Sequence, residues 1–152
     1  MSLAGETRDP EGKGVEGLTG TANYFSGKRP EGWHRKIPTY SRIQYSNVYP
    51  GIDIAYYSSG QELEFDFIVA AGADPETIRL SFQGTDGIGR DSHGNLILQV
   101  RGKQVLLSKP KLYQTIDGKK REVPGGFVIT LLRRRTKYAS WSVIMIEARP
   151  SL

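Results

Sequence analysis

Apolar residues in this chain recur in short runs that alternate with polar ones and are broken by Gly, Pro, Asn and Asp. A two-residue period is that of an extended strand with one face turned to a core. It predicts strands at 21–25, 39–46, 52–58, 62–70, 77–83, 95–101, 104–109, 111–117, 121–132 and 138–147. No long segment places apolar residues at helical spacing. One short helical turn is predicted at Asp74-Pro75-Glu76-Thr77, with Asp74 as N-cap and Pro75 at the first helical position, where its missing N–H costs nothing. Many short strands separated by turn signals predict an all-β fold, an antiparallel β-sandwich or open barrel. No internal repeat is visible.

Three hairpins follow from the turn residues. Asp117-Gly118 suits a two-residue turn, Gly102-Lys103 joins the runs on either side of it, and Ser58–Gln61 joins the segments IDIAYY and ELEFDF. Pairing the last hairpin about Ser59-Gly60 sets Tyr56 against Leu63, Ile54 against Phe65 and Ile52 against Phe67 on one apolar face. The other face then pairs Tyr57 with Glu62, Ala55 with Glu64 and Asp53 with Asp66. Like charges directly opposite each other destabilise a sheet, so Asp53 and Asp66 need solvent, a neighbouring Arg42 or Arg79, or a bound cation. Asp53, Tyr57, Glu62, Glu64 and Asp66 are therefore the candidate ligand-binding residues, although a wet acidic face is also ordinary for an antiparallel sheet. No loop has the alternating acids of a calcium site, and acids on one strand face do not show the cleft that a glycosidase pair needs.

Composition narrows the function classes. With 152 residues and a net charge of +5, the chain suits one domain: a flexible, Gly-rich and charged leader at 1–20, then a single β-rich domain at 21–147. The longest uncharged apolar runs, such as FVITLL, fall far short of the ~20 residues a membrane-spanning helix needs. There is no cysteine, which removes disulfides and thiol chemistry. His34 and His93 both read as surface residues, and no phosphate-loop or dinucleotide motif is present. No catalytic set, metal site or cofactor is expected.

Charge and aromatics open two alternatives to a structural role. Residues 1–102 carry 10 Lys/Arg against 13 Asp/Glu, whereas 103–137 carry 10 against 2. That basic segment, ending in Arg133-Arg134-Arg135 and Lys137, is a candidate nucleic-acid surface. Tyr24, Phe25, Trp33, Tyr40, Tyr45, Tyr49, Tyr56 and Tyr57 crowd one stretch; most are expected in the core, and exposed members could stack on sugar rings. A carbohydrate-binding or carbohydrate-processing domain is the other alternative.

The elements Asn23-Tyr24-Phe25, Gly27, Trp33, Val48-Tyr49-Pro50-Gly51-Ile52-Asp53, Tyr56-Tyr57, Leu63-Glu64-Phe65-Asp66-Phe67 and Gly72-Ala73-Asp74-Pro75 form a longer pattern. It continues through Gly94-Asn95-Leu96, Lys109-Pro110, Tyr113-Gln114, Asp117-Gly118 and Arg121-Glu122-Val123. The pattern resembles the uncharacterised domain near the N-terminus of bacterial SBBP-repeat (β-propeller repeat) surface proteins. That resemblance implies a β-rich fold, export, a place in a large multidomain protein at the cell surface, and no catalytic residues. It implies that Asp53, Glu64 and Asp66 are family features. Two departures stand out: the region before Asn23 is short, and the ending from about residue 131 fits the family better in a shifted reading frame, as a frameshift in the gene would produce. The functional expectation is a non-catalytic structural or adhesive module whose partners are a glycan or another surface protein. Self-association is expected through an exposed edge strand, 21–25 or 138–147.

Overall fold

The computed structural model describes residues 1–6, 10–116, 118–132 and 140–147; for 131–132 and 140–147 the description is of the backbone. Among them are thirteen strands: β1 (Ser2–Leu3), β2 (Gly12–Phe25), β3 (Trp33–Tyr49), β4 (Ile52–Ser59), β5 (Glu62–Val69), β6 (Arg79–Phe82), β7 (Gly87–Arg90), β8 (Leu96–Val100), β9 (Lys103–Leu107), β10 (Leu112–Ile116), β11 (Lys119–Val123), β12 (Gly125–Leu132) and β13 (Ser140–Glu147). All pairings are antiparallel, and no sheet closes on itself among the described residues. The chain is all-β. It groups into two compact units, Thr7–Ala73 and Met1–Glu6 with Asp74–Leu152.

The first unit is a four-stranded sheet in the order β2-β3-β4-β5. Residues 12–20, expected in a flexible leader, form the first part of β2 and pair with β3. Glycine is what lets that polar stretch join the sheet. A Cβ on Gly12 would lie 2.7 Å from Cε1 of Tyr45, and one on Gly14 would overlap the Tyr40 ring, so two tyrosines of β3 lie across bare backbone of β2. Alternation alone misses this, because residues 12–20 carry only Val15 and Leu18 as apolar side chains, three positions apart, too few to alternate. The β2–β3 ribbon is irregular, and side chains hold its bends. Asn23 Oδ1 accepts the N–H of Lys36 at 2.9 Å, where Lys36 has φ +55°.

The β4–β5 hairpin departs from the expected register by two residues. Ile54 lies opposite Phe67, Tyr56 opposite Phe65, Tyr57 opposite Glu64, Ala55 opposite Asp66 and Asp53 opposite Ile68. The strands pair out to Ser59 and Glu62, which leaves a tight two-residue loop with Gly60 at its first position, φ +64°. A slip of two preserves which face each side chain takes, so the apolar set stays together. It removes the direct Asp53–Asp66 opposition. Tyr45, Tyr56, Phe65 and Phe67 form a ladder of rings with centroids 6.1, 5.9 and 5.9 Å apart in succession. Val48, Tyr49, Ile52, Ile54 and Ala55 are buried.

The aromatic-rich stretch is less buried than expected. Tyr49 is enclosed; Trp33, Tyr45, Tyr56 and Tyr57 are half-buried; Tyr24, Phe25 and Tyr40 are exposed. The cause is length: β2 and β3 run past β4 as a two-stranded ribbon, and a ribbon has no third strand to cover its far end.

The second unit holds three sheets, β1-β6-β13-β12, β7-β8-β9 and β10-β11. The helical turn falls at Pro75–Thr77, with the Asp74 carboxylate accepting the Glu76 N–H at 3.0 Å. Ile78, Leu80, Phe82, Leu96, Leu98 and Phe127 are buried. The β8–β9 turn is Arg101-Gly102, one residue earlier than expected, with both residues at positive φ and the Arg101 N–H held by Asp86 at 2.7 Å. Gly118, φ +73°, sits in the β10–β11 turn as expected; Asp117 lies outside the described residues. Pro124 divides the predicted 121–132 strand into β11 and β12, since proline gives the ladder no N–H. Strand β7, GIGR, carried no legible apolar run.

A further expectation is overturned here. The strand at 140–147 is not an edge: β13 lies between β12 and β6 and is paired on both sides. Arg133-Arg134-Arg135, Lys137 and the ending that a frameshift would alter lie outside the described residues, apart from the backbone of 131–132 and of β13.

Candidate functional site

The five candidate residues share one face of β4 and β5, where strand alternation places them. Asp53 is half-buried and engaged twice within its own sheet: Oδ1 accepts the N–H of Asn47 at 2.7 Å and Oδ2 accepts the Gln44 amide at 2.8 Å. Asn47 has φ +55°, so the Asp53 carboxylate fastens the irregular end of β3 to β4. Asp66 accepts the Tyr57 hydroxyl at 3.0 Å. Glu64 stands directly across from Tyr57, and Glu62 is exposed at the hairpin end.

Of the two cations expected nearby, Arg42 is present and Arg79 is on β6 in the other unit. The Arg42 guanidinium lies 4.6 Å from the centroid of the Tyr57 ring, and its Nε is 3.8 Å from Glu16. Arg42, Tyr57 and Glu64 thus follow one another across β3, β4 and β5. Burial, then the hydrogen bond and charge of Asp66, then Glu64, push the Tyr57 phenol up to about 12. It therefore stays a neutral donor to carboxylates at ordinary pH. On this face Asp53 and Asp66 are taken up by neighbours in the sheet, whereas the buried Arg42 Nε has no hydrogen-bond partner among the described residues. Among the described residues no three His, Asp or Glu side chains converge as a metal site requires.

The second unit contains a groove that residue types alone did not single out. Its volume is about 490 Å³, and its walls include Arg90, the turn Asp91–Gly94, Lys109 and the β12 backbone from Gly125 to Val128. Asp91 organises the turn. Its Oδ1 accepts the N–H groups of His93 and Asn95, both at 2.9 Å, and its Oδ2 accepts the Asn95 amide at 2.8 Å. The Asn95 side chain, its backbone N–H and that of His93 hold the Asp91 carboxyl below the usual carboxylate range, against a smaller opposing effect of desolvation. Asn95 Oδ1 in turn accepts the Lys109 N–H at 2.8 Å, which fixes the chain two residues past β9 against the turn. Arg90 Nη1 donates to the Phe127 carbonyl at 3.0 Å. The available sequence signal was the string Asp91-Ser92-His93-Gly94-Asn95, a turn by composition. Nothing in it announces Lys109 or Gly125, which are distant in sequence.

The family model described as Domain of unknown function (DUF7948) matches residues 1–141, and the chain belongs to that family. No curated protein and no solved structure matches. Among the described residues, no helix is long and apolar enough to cross a membrane.

Proposed function

We propose that this DUF7948 member is a non-catalytic β-module, a structural or adhesive unit of a larger exported bacterial surface protein of the SBBP-repeat type. One observation carries the non-catalytic part: the acids most suggestive of chemistry serve the sheet itself. Asp53 is taken up by Asn47 and Gln44, and Asp66 by Tyr57. A general acid or base must face its substrate with a free proton site, and these carboxylates face their own strands. Export and the surface setting rest on the sequence resemblance.

Adhesion to a glycan or to another surface protein is supported by the far end of the β2–β3 ribbon. There Tyr24 and Phe25 are 68% and 61% exposed, and the Arg35 guanidinium lies 5.7 Å from the Phe25 ring centroid and 5.4 Å from that of Trp33. A second copy would pair at β2 or β5, which end their sheet among the described residues.

Protease treatment of intact cells producing the full-length gene product tests the surface setting. Peptides from residues 12–69 released before lysis are expected; protection until lysis would refute export to the surface. A glycan array with wild type and Phe25→Ala tests adhesion. Glycan binding lost in the variant supports the ribbon end, and silence of both proteins removes the glycan as partner.

A further inference from the structure

The groove of the second unit differs from the acid face in what it leaves for a ligand. Asp91 is the one acid among its described lining residues, and both of its oxygens are already occupied by the turn. The cations are not occupied in this way. Arg90 is fixed through one nitrogen on the Phe127 carbonyl and keeps its other donors. Among the described residues, Lys109 Nζ and the His93 imidazole have no hydrogen-bond partner within the protein, and Ser92 adds a hydroxyl.

Glycines keep the space open. A Cβ on Gly94 would lie 3.1 Å from Lys109 Cδ, and one on Gly126 would lie 3.9 Å from Lys109 Cε. The Lys109 stem therefore passes both glycines, and its backbone is pinned by Asn95. Arg90 held at the Phe127 carbonyl, Lys109 pinned by its backbone, two further donors and one acid whose oxygens are already taken by the turn make a surface that favours negative charge. The groove also has room for more than a bare ion, since small-molecule pockets run from roughly 300 to 1,000 Å³.

The geometry points to a binding site for a small organic oxyanion, a carboxylate, sulfate or phosphate group on a polar body of monosaccharide size. Arg90 and Lys109 pair with the charge, and Ser92 and His93 donate to the body or to the remaining oxygens. This site is built from other residues than the ribbon end and stands whether or not the chain is an adhesive surface module.

Amide resonances of the full chain, titrated at constant ionic strength with sodium sulfate, sodium D-galacturonate and neutral D-galactose, provide the test. Saturable shifts at Ser92–Gly94 and Gly125–Gly126 are expected with both anions and not with galactose. Tighter saturation by galacturonate than by sulfate would show that the body is bound; equal saturation would limit the site to the charged group and overturn its monosaccharide scale. Lys109→Met, which keeps the stem over the glycines, should weaken binding about tenfold, the scale of one hydrogen bond to a charged group. Lys103→Met removes the same charge from β9 outside the groove and should leave affinity unchanged. Arg90→Gln retains a donor for the Phe127 carbonyl and should weaken binding like Lys109→Met, so the result does not depend on one variant folding. Absence of saturable shifts at these amides, or equal weakening by Lys103→Met and Lys109→Met, would overturn the site.

Discussion

On the shared face of β3, β4 and β5, carboxylates outnumber cations, and Asp53 and Asp66 are hydrogen-bonded to neighbours in the sheet. In the groove of the second unit the balance is reversed: Arg90 and Lys109 stand with a single Asp91, and it is the acid that is consumed by local structure. In both regions, then, a carboxylate disciplines an irregular stretch of backbone, the positive-φ bend at Asn47 in one and the Asp91–Asn95 turn in the other. They differ in what remains once those bonds are counted. On the strand face Asp53 and Asp66 are taken up and the buried Arg42 Nε is left without a hydrogen-bond partner among the described residues, whereas the groove keeps several donors without acceptors around one opening. A residue type that could do chemistry is informative only after its hydrogen bonds have been assigned.

If the strand face is architecture, changes there should act on stability, and changes in the groove should not. The largest effect is expected beneath the acid face. Ile54 is 1% exposed, and Ile54→Ala should cost about 2–5 kcal/mol in urea unfolding. A loss under about 1 kcal/mol would mean that the sheet does not rest on this core.

Asp53→Ala comes next. It leaves the Asn47 N–H and the Gln44 amide without their acceptor and should cost about 1–3 kcal/mol by the same measurement. No measurable loss would return Asp53 to the ligand candidates and dissolve the contrast between the two regions.

Tyr57→Phe should cost about 0.5–1.5 kcal/mol at neutral pH, because the change removes the donor to Asp66. Its pH dependence sharpens the point. The folded protein raises the phenol from 10.0 to about 12, so folding favours the neutral form. The stabilisation is fully present below the unfolded value and is lost as pH rises from about 10 through about 12. Wild type and Tyr57→Phe should therefore converge in stability over that window. A gap that stays constant would show that Asp66 and Glu64 do not act on this hydroxyl.

The smallest effect belongs to the groove. Lys109→Gln should change stability by no more than about 0.5 kcal/mol, because the side chain is exposed and its ammonium holds nothing within the protein. A larger loss would make Lys109 a structural residue and align the groove with the strand face.

Much of this architecture is legible along the chain. Alternation marks β4, β5, β8 and β9, Asp74-Pro75 marks the helical turn, and Gly60, Gly102 and Gly118 mark the hairpin turns. These signals are local: a two-residue period, a cap, a glycine where φ is positive. The same period also fixed the side of the sheet on which Asp53, Tyr57, Glu64 and Asp66 lie, and a two-residue slip in register could not disturb it. Three things needed the tertiary structure. The register itself was one, because apolar residues on both strands allow either pairing and the loop geometry at Gly60-Gln61 selects between them. The strand at 12–20 was another, because its cover comes from Tyr40 and Tyr45 on β3 rather than from its own side chains. The third was the groove: Arg90, His93, Lys109 and Gly125 are scattered along the sequence, and only the folding of β7, β9 and β12 into one unit, with Asn95 and Phe127 as the fastening points, brings their donors to one opening.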